Sequence, residues 1–120
     1  MTTSKIKWVL VTEAIALLPW QENNMCLIEV EGKKITLIKK ENEIFATAHK
    51  CPHAGGVLAD GYCDALGNIV CPLHRYKFNI ENGRNTSGEG YYLKTYPIQI
   101  RENKEVFIGF EEKAFLNFFK

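Results

Sequence analysis

Two short segments that each pair a cysteine with a histidine constrain this chain more than any other feature. Cys51-Pro52-His53 supplies a Cys-x-His pair, and Cys71-Pro72-Leu73-His74 supplies a Cys-x-x-His pair after seventeen intervening residues. Proline follows the cysteine in both segments. The whole chain has only three histidines, so chance is a poor explanation for two of them lying beside matched cysteines. The two segments therefore predict a metal site with two thiolate and two imidazole ligands.

The arrangement of the ligands distinguishes between two kinds of metal centre. A structural zinc ion also takes two cysteines and two histidines, but zinc modules usually open with a cysteine pair and close with a histidine pair. Here each segment mixes one cysteine with one histidine. A two-iron, two-sulfide cluster can be held by two cysteines on one iron and two histidines on the other. We therefore predict an iron–sulfur cluster, with a structural zinc site as the alternative.

The sequence around both segments resembles the Rieske iron–sulfur proteins. Residues 51–56 (CPHAGG) and 71–78 (CPLHRYKF) are similar to the two cluster-binding loops of that family, and the similarity covers about residues 7–110. The resemblance implies that Cys51 and Cys71 ligate the inner iron of one [2Fe-2S] cluster, and His53 and His74 the outer iron. It also implies an all-β fold of small antiparallel sheets, an incomplete barrel or sandwich, with both loops at one tip.

The pattern of β-branched and aromatic residues predicts an all-β domain without help from the family. Short strands are predicted at 7–11, 25–30, 34–39, 43–48, 68–70, 77–80, 92–100 and 105–110, separated by polar or glycine-containing turns. One brief helix is predicted at 13–18, capped by Thr12 and ended by Pro19. We expect a single domain over residues 1–120, with its core at about 7–110 and a tail at 111–120.

Three further residues of metal-binding type lie outside the two segments. Cys26 is flanked by apolar residues and is predicted to be buried as a small hydrophobe. Cys63 lies between the segments and is an alternative sulfur ligand, although the set of four is complete without it. His49 precedes Cys51 by two residues and is predicted to be an ordinary loop or strand-end histidine, with a role as alternative ligand or proton acceptor left open.

Four positions differ from the high-potential branch of the family. That branch has an additional cysteine in each loop, and the two form a disulfide, whereas this chain has Gly56 and Leu73. The branch also donates hydroxyl hydrogen bonds to sulfur atoms from a serine and a tyrosine, where this chain has Tyr76 and Phe78. Fewer donors stabilise the reduced cluster less. The resemblance therefore implies a disulfide-free site with a potential at the lower end of the roughly −150 to +300 mV Rieske range.

Charge and hydropathy exclude some classes of partner. Fifteen basic and fourteen acidic residues leave a formal charge of +1, and no long block of one sign favours nucleic acid or an anionic membrane. The apolar run at 8–11 is too short for a membrane span or a signal peptide, so we expect a cytoplasmic protein. Phe115, Leu116, Phe118 and Phe119 are predicted to pack on their own domain, with docking to another protein as the alternative.

The resemblance implies electron transfer without catalysis. Once His53 and His74 are used, His49 alone cannot supply the 2-His-1-carboxylate iron site of an oxygenase, and the chain has no nicotinamide or flavin fingerprint. The expected protein is a soluble Rieske-type ferredoxin that passes single electrons from a flavoprotein reductase to a terminal oxygenase such as a dioxygenase. The alternative is the small subunit of an NAD(P)H-dependent nitrite reductase, bound to the large subunit.

Overall fold

The computed structural model describes residues 4–53 and 55–113 of the 120-residue chain. These residues form ten β-strands and two single turns of 3-10 helix, at Ile15–Leu17 and Leu58–Asp60. The strands are β1 (Ser4–Thr12), β2 (Met25–Val30), β3 (Lys33–Lys40), β4 (Glu43–Ala48), β5 (Tyr62–Cys63), β6 (Asn68–Val70), β7 (Lys77–Asn79), β8 (Thr95–Tyr96), β9 (Ile98–Ile100) and β10 (Val106–Lys113).

The strands form three small antiparallel sheets, which confirms the all-β prediction. The first has the order β1-β10-β9, the second β2-β3-β4-β8 and the third β5-β6-β7. The first sheet joins the two ends of the described chain, since β1 pairs with β10 from Ser4 opposite Lys113 to Thr12 opposite Val106. The predicted strands at 25–30, 43–48 and 68–70 are confirmed with the same bounds.

Strand β3 is the centre of the molecule because both of its faces are buried. Four consecutive residues from Ile35 to Ile38 are at most 1% exposed, and a run of that kind is typical of a strand covered on both sides. Leu37 packs into an apolar cluster towards the first sheet, together with Val106 and Ile108. Ile38 packs on the other side, in a cluster that contains Leu58, Ile69 and Phe78. The third sheet and its loops are therefore fixed against a rigid support.

The predicted helix at 13–18 is wrong, and the structure has one 3-10 turn at Ile15–Leu17 instead. The hydroxyl group of Thr12 accepts a hydrogen bond from Ala14 N and donates one to Ala14 O, so it closes the turn that precedes the helix and does not cap the helix. The indole Nε1 of Trp20 donates to Ile15 O at 2.9 Å. Six residues cannot sustain an isolated helix, and these local contacts determine the conformation.

Two other predictions concern the C-terminal part. The predicted strand at 92–100 is divided into β8 and β9 at Pro97, which has no N–H for a sheet hydrogen bond. The carbonyl of Pro97 still accepts a hydrogen bond from Gly109 N at 2.9 Å.

The apolar tail residues Phe115, Leu116, Phe118 and Phe119 lie outside the described residues. Within the described residues, none of the helices has the length and apolar character needed to cross a membrane.

Candidate metal centre

The two cysteine–histidine segments form two loops of the same length and construction. Residues 51–56 are enclosed by the antiparallel bridge between Lys50 and Val57. Residues 71–76 are enclosed in the same way by the pairing of Val70 with Lys77, at the end of the β6–β7 hairpin. Each loop therefore has six residues and begins with its cysteine.

The backbone hydrogen bonds of the two loops correspond one to one. In the first loop, Cys51 N donates to Gly56 O at 2.8 Å, and Gly55 N donates to Cys51 O at 3.0 Å. In the second loop, Cys71 N donates to Tyr76 O at 2.9 Å, and Arg75 N donates to Cys71 O at 3.0 Å. The backbone of each cysteine is thus held by a turn of the same kind, which fixes the position of its Cα atom.

The histidines occupy different positions within these equivalent loops. His53 is the third residue of its loop, whereas His74 is the fourth residue of the other. The two side chains nevertheless meet, with His74 Nδ1 and His53 Nε2 2.9 Å apart and ring centroids 4.8 Å apart. The two imidazoles therefore meet across the gap between the loops although their positions in the loops differ.

The four predicted ligands separate into a buried pair and a surface pair. The cysteines are buried, with Cys51 2% and Cys71 0% exposed, and both belong to the apolar cluster beneath the loops. His53 is half-buried and His74 is exposed. Cys51 Sγ lies 3.6 Å from His53 Nδ1, so thiol and imidazole approach each other within the first loop. Within residues 4–53 and 55–113, no group of three or more His, Cys, Asp or Glu side chains is arranged to hold a single metal ion.

Gly56 leaves space beside the thiol of Cys71. A Cβ atom at this position would lie 2.9 Å from Cys71 Sγ and 3.0 Å from Leu73 Cγ. Both distances are shorter than ordinary van der Waals contact, so any side chain would displace the thiol or the facing loop. Gly56 and Leu73, the two positions where the high-potential branch has a disulfide, therefore face each other here without one. Leu73 is 53% exposed at the edge of the site.

Tyr76 covers one face of His53. The two rings are stacked, with centroids 3.9 Å apart and an angle of 30° between their planes. Partial burial raises the pKa of the Tyr76 hydroxyl group, and the nearby Glu89 carboxylate acts in the same direction. Phe78, by contrast, is fully buried in the apolar cluster and has no hydroxyl group to donate. Tyr76 therefore packs against a proposed histidine ligand, whereas Phe78 packs in the apolar cluster that contains the two cysteines.

A third loop, residues 84–92, borders the site; the sequence indicates a glycine-bearing loop at 86–90 but not its contact with His53. Its Tyr91 ring lies 5.8 Å from the ring of His53 and 5.9 Å from that of Tyr76. Hydrogen bonds from Ser87 and Asn85 lower the pKa of Glu89, which keeps its carboxylate charged near His53. The only sequence signal for this loop is its run of small and polar residues, which predicts a turn but not its position.

A second support missed at the sequence level is the amide of Asn23. Its Nδ2 donates to Ala59 O at 2.9 Å and to Gly61 O at 3.0 Å, while its Oδ1 accepts from Met25 N at 3.1 Å. Asn23 therefore fastens the segment that follows the first loop to the start of β2.

The other predicted residues lie at the margin of the site or away from it. Cys26 is 1% exposed in the apolar cluster between the first and second sheets, as predicted, and burial raises the pKa of its thiol to about 11. Cys63 lies half-buried in β5, and burial raises its pKa as well. His49 directly follows β4, also as predicted, and burial lowers its pKa. Its Nδ1 is buried without a hydrogen-bond partner among the described residues.

Comparisons with known proteins give a family match and a close relative in sequence. Residues 7–97 match the family model for the Rieske [2Fe-2S] domain. The ferredoxin component of the naphthalene 1,2-dioxygenase system of Pseudomonas putida is 36% identical over 104 residues, which cover 86% of this chain and 95% of that protein.

Two solved structures share the fold. The ferredoxin of carbazole 1,9a-dioxygenase from Nocardioides aromaticivorans IC177 has a TM-score of 0.71 at 21% identity, covering 84% of this chain and 95% of that one. A protein provisionally described as the small subunit of an NADH-dependent nitrite reductase from Mycobacterium tuberculosis has a TM-score of 0.75 at 15% identity, covering 88% and 96%. At these identities the likeness concerns the fold alone.

Proposed function

The chain belongs to the Rieske [2Fe-2S] domain family, and from this premise we propose that it is a one-electron carrier, a Rieske-type ferredoxin. The observation that carries the proposal is the separation of two buried thiols from two imidazoles at the surface. Such a site can hold a redox group in the protein and still expose one edge of it to a partner. Domains of this family use a [2Fe-2S] cluster, which supplies reversible one-electron chemistry.

The residues present fit this cofactor. We propose that Cys51 and Cys71 hold the inner iron and that His53 and His74 hold the outer iron. The donor set has the two thiolates and two imidazoles that such a cluster requires, and Gly56 leaves room at Cys71 Sγ where a side chain would intrude. The cysteines lie on the buried side of the loops, and His74 is exposed on the outer side.

The chain's own residues determine how an electron reaches the site. Because His74 is exposed and its ring meets that of His53, the histidine edge of the loops is the shortest approach for another protein. Neutral imidazoles donate less charge than thiolates, so the outer iron is the favoured place for the electron. The protein transfers the electron and does no bond chemistry by itself.

The proposed partners are a flavoprotein reductase that supplies electrons and a terminal oxygenase that accepts them, in the cytoplasm. Relatives of this chain are ferredoxin components of dioxygenase systems. A related solved structure is the complex of reduced oxygenase and oxidised ferredoxin in carbazole 1,9a-dioxygenase, with a TM-score of 0.69 at 22% identity. A single domain over residues 1–120, with its core at about 7–110, is part of the same proposal.

The second candidate is the small subunit of an NAD(P)H-dependent nitrite reductase. It is favoured by the fold likeness to the protein from Mycobacterium tuberculosis. The two candidates differ in how firmly the chain binds its acceptor. A ferredoxin associates reversibly with its partners, whereas a subunit stays bound to the large subunit.

The test has two stages. The purified protein is first assayed for iron, acid-labile sulfide and the electron paramagnetic resonance (EPR) signal of the reduced cluster. A colourless protein with one zinc and no sulfide would establish the zinc alternative. The loaded protein is then mixed with NADH, a flavoprotein reductase and an aromatic-ring dioxygenase. Reversible electron delivery supports the ferredoxin function, and firm co-purification with a large sirohaem protein supports the nitrite reductase subunit.

A further inference from the structure

The third loop is fastened to the residue that follows Tyr76. Lys77 N donates to Ser87 Oγ at 2.9 Å, and Thr86 N donates to Lys77 O at 2.9 Å. Lys77 is also the residue whose pairing with Val70 closes the second metal-binding loop. The third loop and the second metal-binding loop therefore share one anchor.

Asn85 is the centre of this attachment because its amide uses both its donor and its acceptor atoms. Its Nδ2 donates to Lys77 O at 3.0 Å and to Glu89 Oε1 at 2.9 Å. Its Oδ1 accepts from Gly90 N at 2.8 Å and from Glu89 N. The Asn85 side chain thus closes the third loop and also joins it to Lys77. Its partners Lys77 and Gly90 are the sequence neighbours of Tyr76 and Tyr91.

The two tyrosines and His53 form a series of rings, and His74 lies outside it. Tyr91 and Tyr76 are 5.9 Å apart at 32°, and Tyr76 and His53 are 3.9 Å apart at 30°. Contact of this kind restrains a ring in position and in angle. His74 meets His53 edge-on and is 6.3 Å from Tyr76, and it remains exposed. The two proposed histidine ligands therefore have unequal surroundings.

We propose that Asn85 is a positioning residue, which holds Tyr91 and Tyr76 against His53 so that His53 is the restrained histidine and His74 the one presented to a redox partner. The proposal rests on the cluster assignment made above and adds a residue far from the cysteine–histidine segments. Restraint matters for an electron carrier because a fixed imidazole keeps one geometry in both redox states. Asn85 acts through the tyrosines and touches neither proposed ligand pair.

The experiment uses the full-length protein with its cluster. Asn85→Ala removes the whole amide, and Asn85→Asp keeps an acceptor but removes the donors. Asn103→Ala is the matched control, because Asn103 closes the β9–β10 turn in a similar way, with Nδ2 donating to Glu105 Oε1 at 2.7 Å and Oδ1 accepting from Glu105 N at 3.2 Å. Hydrogen–deuterium exchange reports the loop, and pulsed EPR of the reduced cluster reports the nitrogen couplings of the two histidines.

We expect Asn85→Ala to exchange the amide of Gly90 about tenfold faster, since this amide loses its hydrogen bond to Asn85 Oδ1 and one lost hydrogen bond corresponds to roughly that factor. Asn85→Asp keeps that acceptor and loses the bond from Nδ2 to Lys77 O, so it tests the attachment of the loop to Lys77. We also expect one of the two nitrogen couplings to broaden while the other stays sharp. Asn103→Ala should change neither. Tyr76→Phe, which keeps the stacked ring, should retain both sharp couplings, and Tyr76→Leu should broaden the same one as the Asn85 variants.

Two results would overturn the proposal. Faster exchange with two unchanged couplings in the Asn85 variants would show that Asn85 holds only the loop. Two sharp couplings in Tyr76→Leu would show that the rings do not restrain His53. If the Asn85 variants fail to retain the cluster, the Tyr76→Leu result alone tests whether the rings restrain His53. None of these readouts needs a partner protein. A cluster-containing protein that reduces no oxygenase would contradict the proposed function and leave this result intact.

Discussion

Gly55 and Arg75 occupy equivalent positions in the two metal-binding loops and share a left-handed backbone, with φ angles of 76° and 62°. Each lies four residues after its cysteine, and each donates its N–H to the carbonyl of that cysteine at 3.0 Å. The conformation is free of cost for glycine but costs about 1–2 kcal/mol for a residue with a Cβ. The second loop therefore carries backbone strain that the first avoids.

This relationship predicts unequal effects of two substitutions. Gly55→Ala should lower the free energy of unfolding by about 1 kcal/mol, because it places a Cβ in the left-handed region without a steric clash. Arg75→Gly should change it by no more than about 1 kcal/mol, since relief of strain offsets the added freedom of the unfolded chain. Urea denaturation measures both. Lys104→Gly, at a left-handed residue in the remote β9–β10 turn, is the control, and a larger loss for Arg75→Gly than for Gly55→Ala would contradict the equivalence.

Gly56→Ala should reduce the amount of cluster that the protein retains. The new Cβ would lie 2.9 Å from Cys71 Sγ, so the thiol or the first loop must move. Acid-labile sulfide per protein chain and the visible absorbance of the purified variant measure the loss. Gly32→Ala, in the β2–β3 turn, is the control, because open space surrounds the position where its Cβ would stand; the variant should keep its sulfide although a φ of 78° strains the backbone there. Full sulfide content in Gly56→Ala would show that the gap at Cys71 is not required.

Cys26 should make the protein less stable at alkaline pH. Burial raises its pKa from 9.0 to about 11 in the folded state. Between these values the unfolded thiol is ionised while the folded one keeps its proton, so unfolding releases a proton and stability falls as pH rises. Relative to Cys26→Ala, the wild type should lose about 2 kcal/mol between pH 8 and pH 10.5. Urea unfolding at several pH values measures this, and parallel curves for the two proteins would refute it.

The reduction potential should lie at the lower end of the roughly −150 to +300 mV Rieske range. Phe78 is fully buried in the same apolar cluster as Cys51 and Cys71 and offers no hydroxyl group to their sulfur atoms. Phe78→Tyr should therefore raise the potential, because a new donor stabilises the more negative reduced state. Phe78→Leu changes the packing without adding a donor and should not raise it. Protein-film voltammetry measures all three proteins, and a wild-type value well above the middle of the range would contradict the prediction.

The pattern of the sequence was sufficient for the architecture and for the proposed ligands. Strands such as β2, β4 and β6 are predictable because alternation and β-branched residues are local properties. The proposed ligands stand out because two matched pairs of a thiol and an imidazole have few uses in a short chain other than metal binding. They are Cys51, His53, Cys71 and His74. The helix predicted at 13–18 was wrong because a short segment follows its local side-chain contacts, here Trp20 on Ile15, more than its own propensity.

Only the tertiary structure decided how the proposed ligands differ from each other. The sequence places one histidine in each segment and contains no sign that Tyr76 and Tyr91 cover His53 while His74 stays exposed. That asymmetry arises from contacts between residues far apart in the chain, fastened by the amide of Asn85. Residue chemistry thus fixes what a site can bind, whereas the packing of distant loops fixes which part of it another molecule can reach.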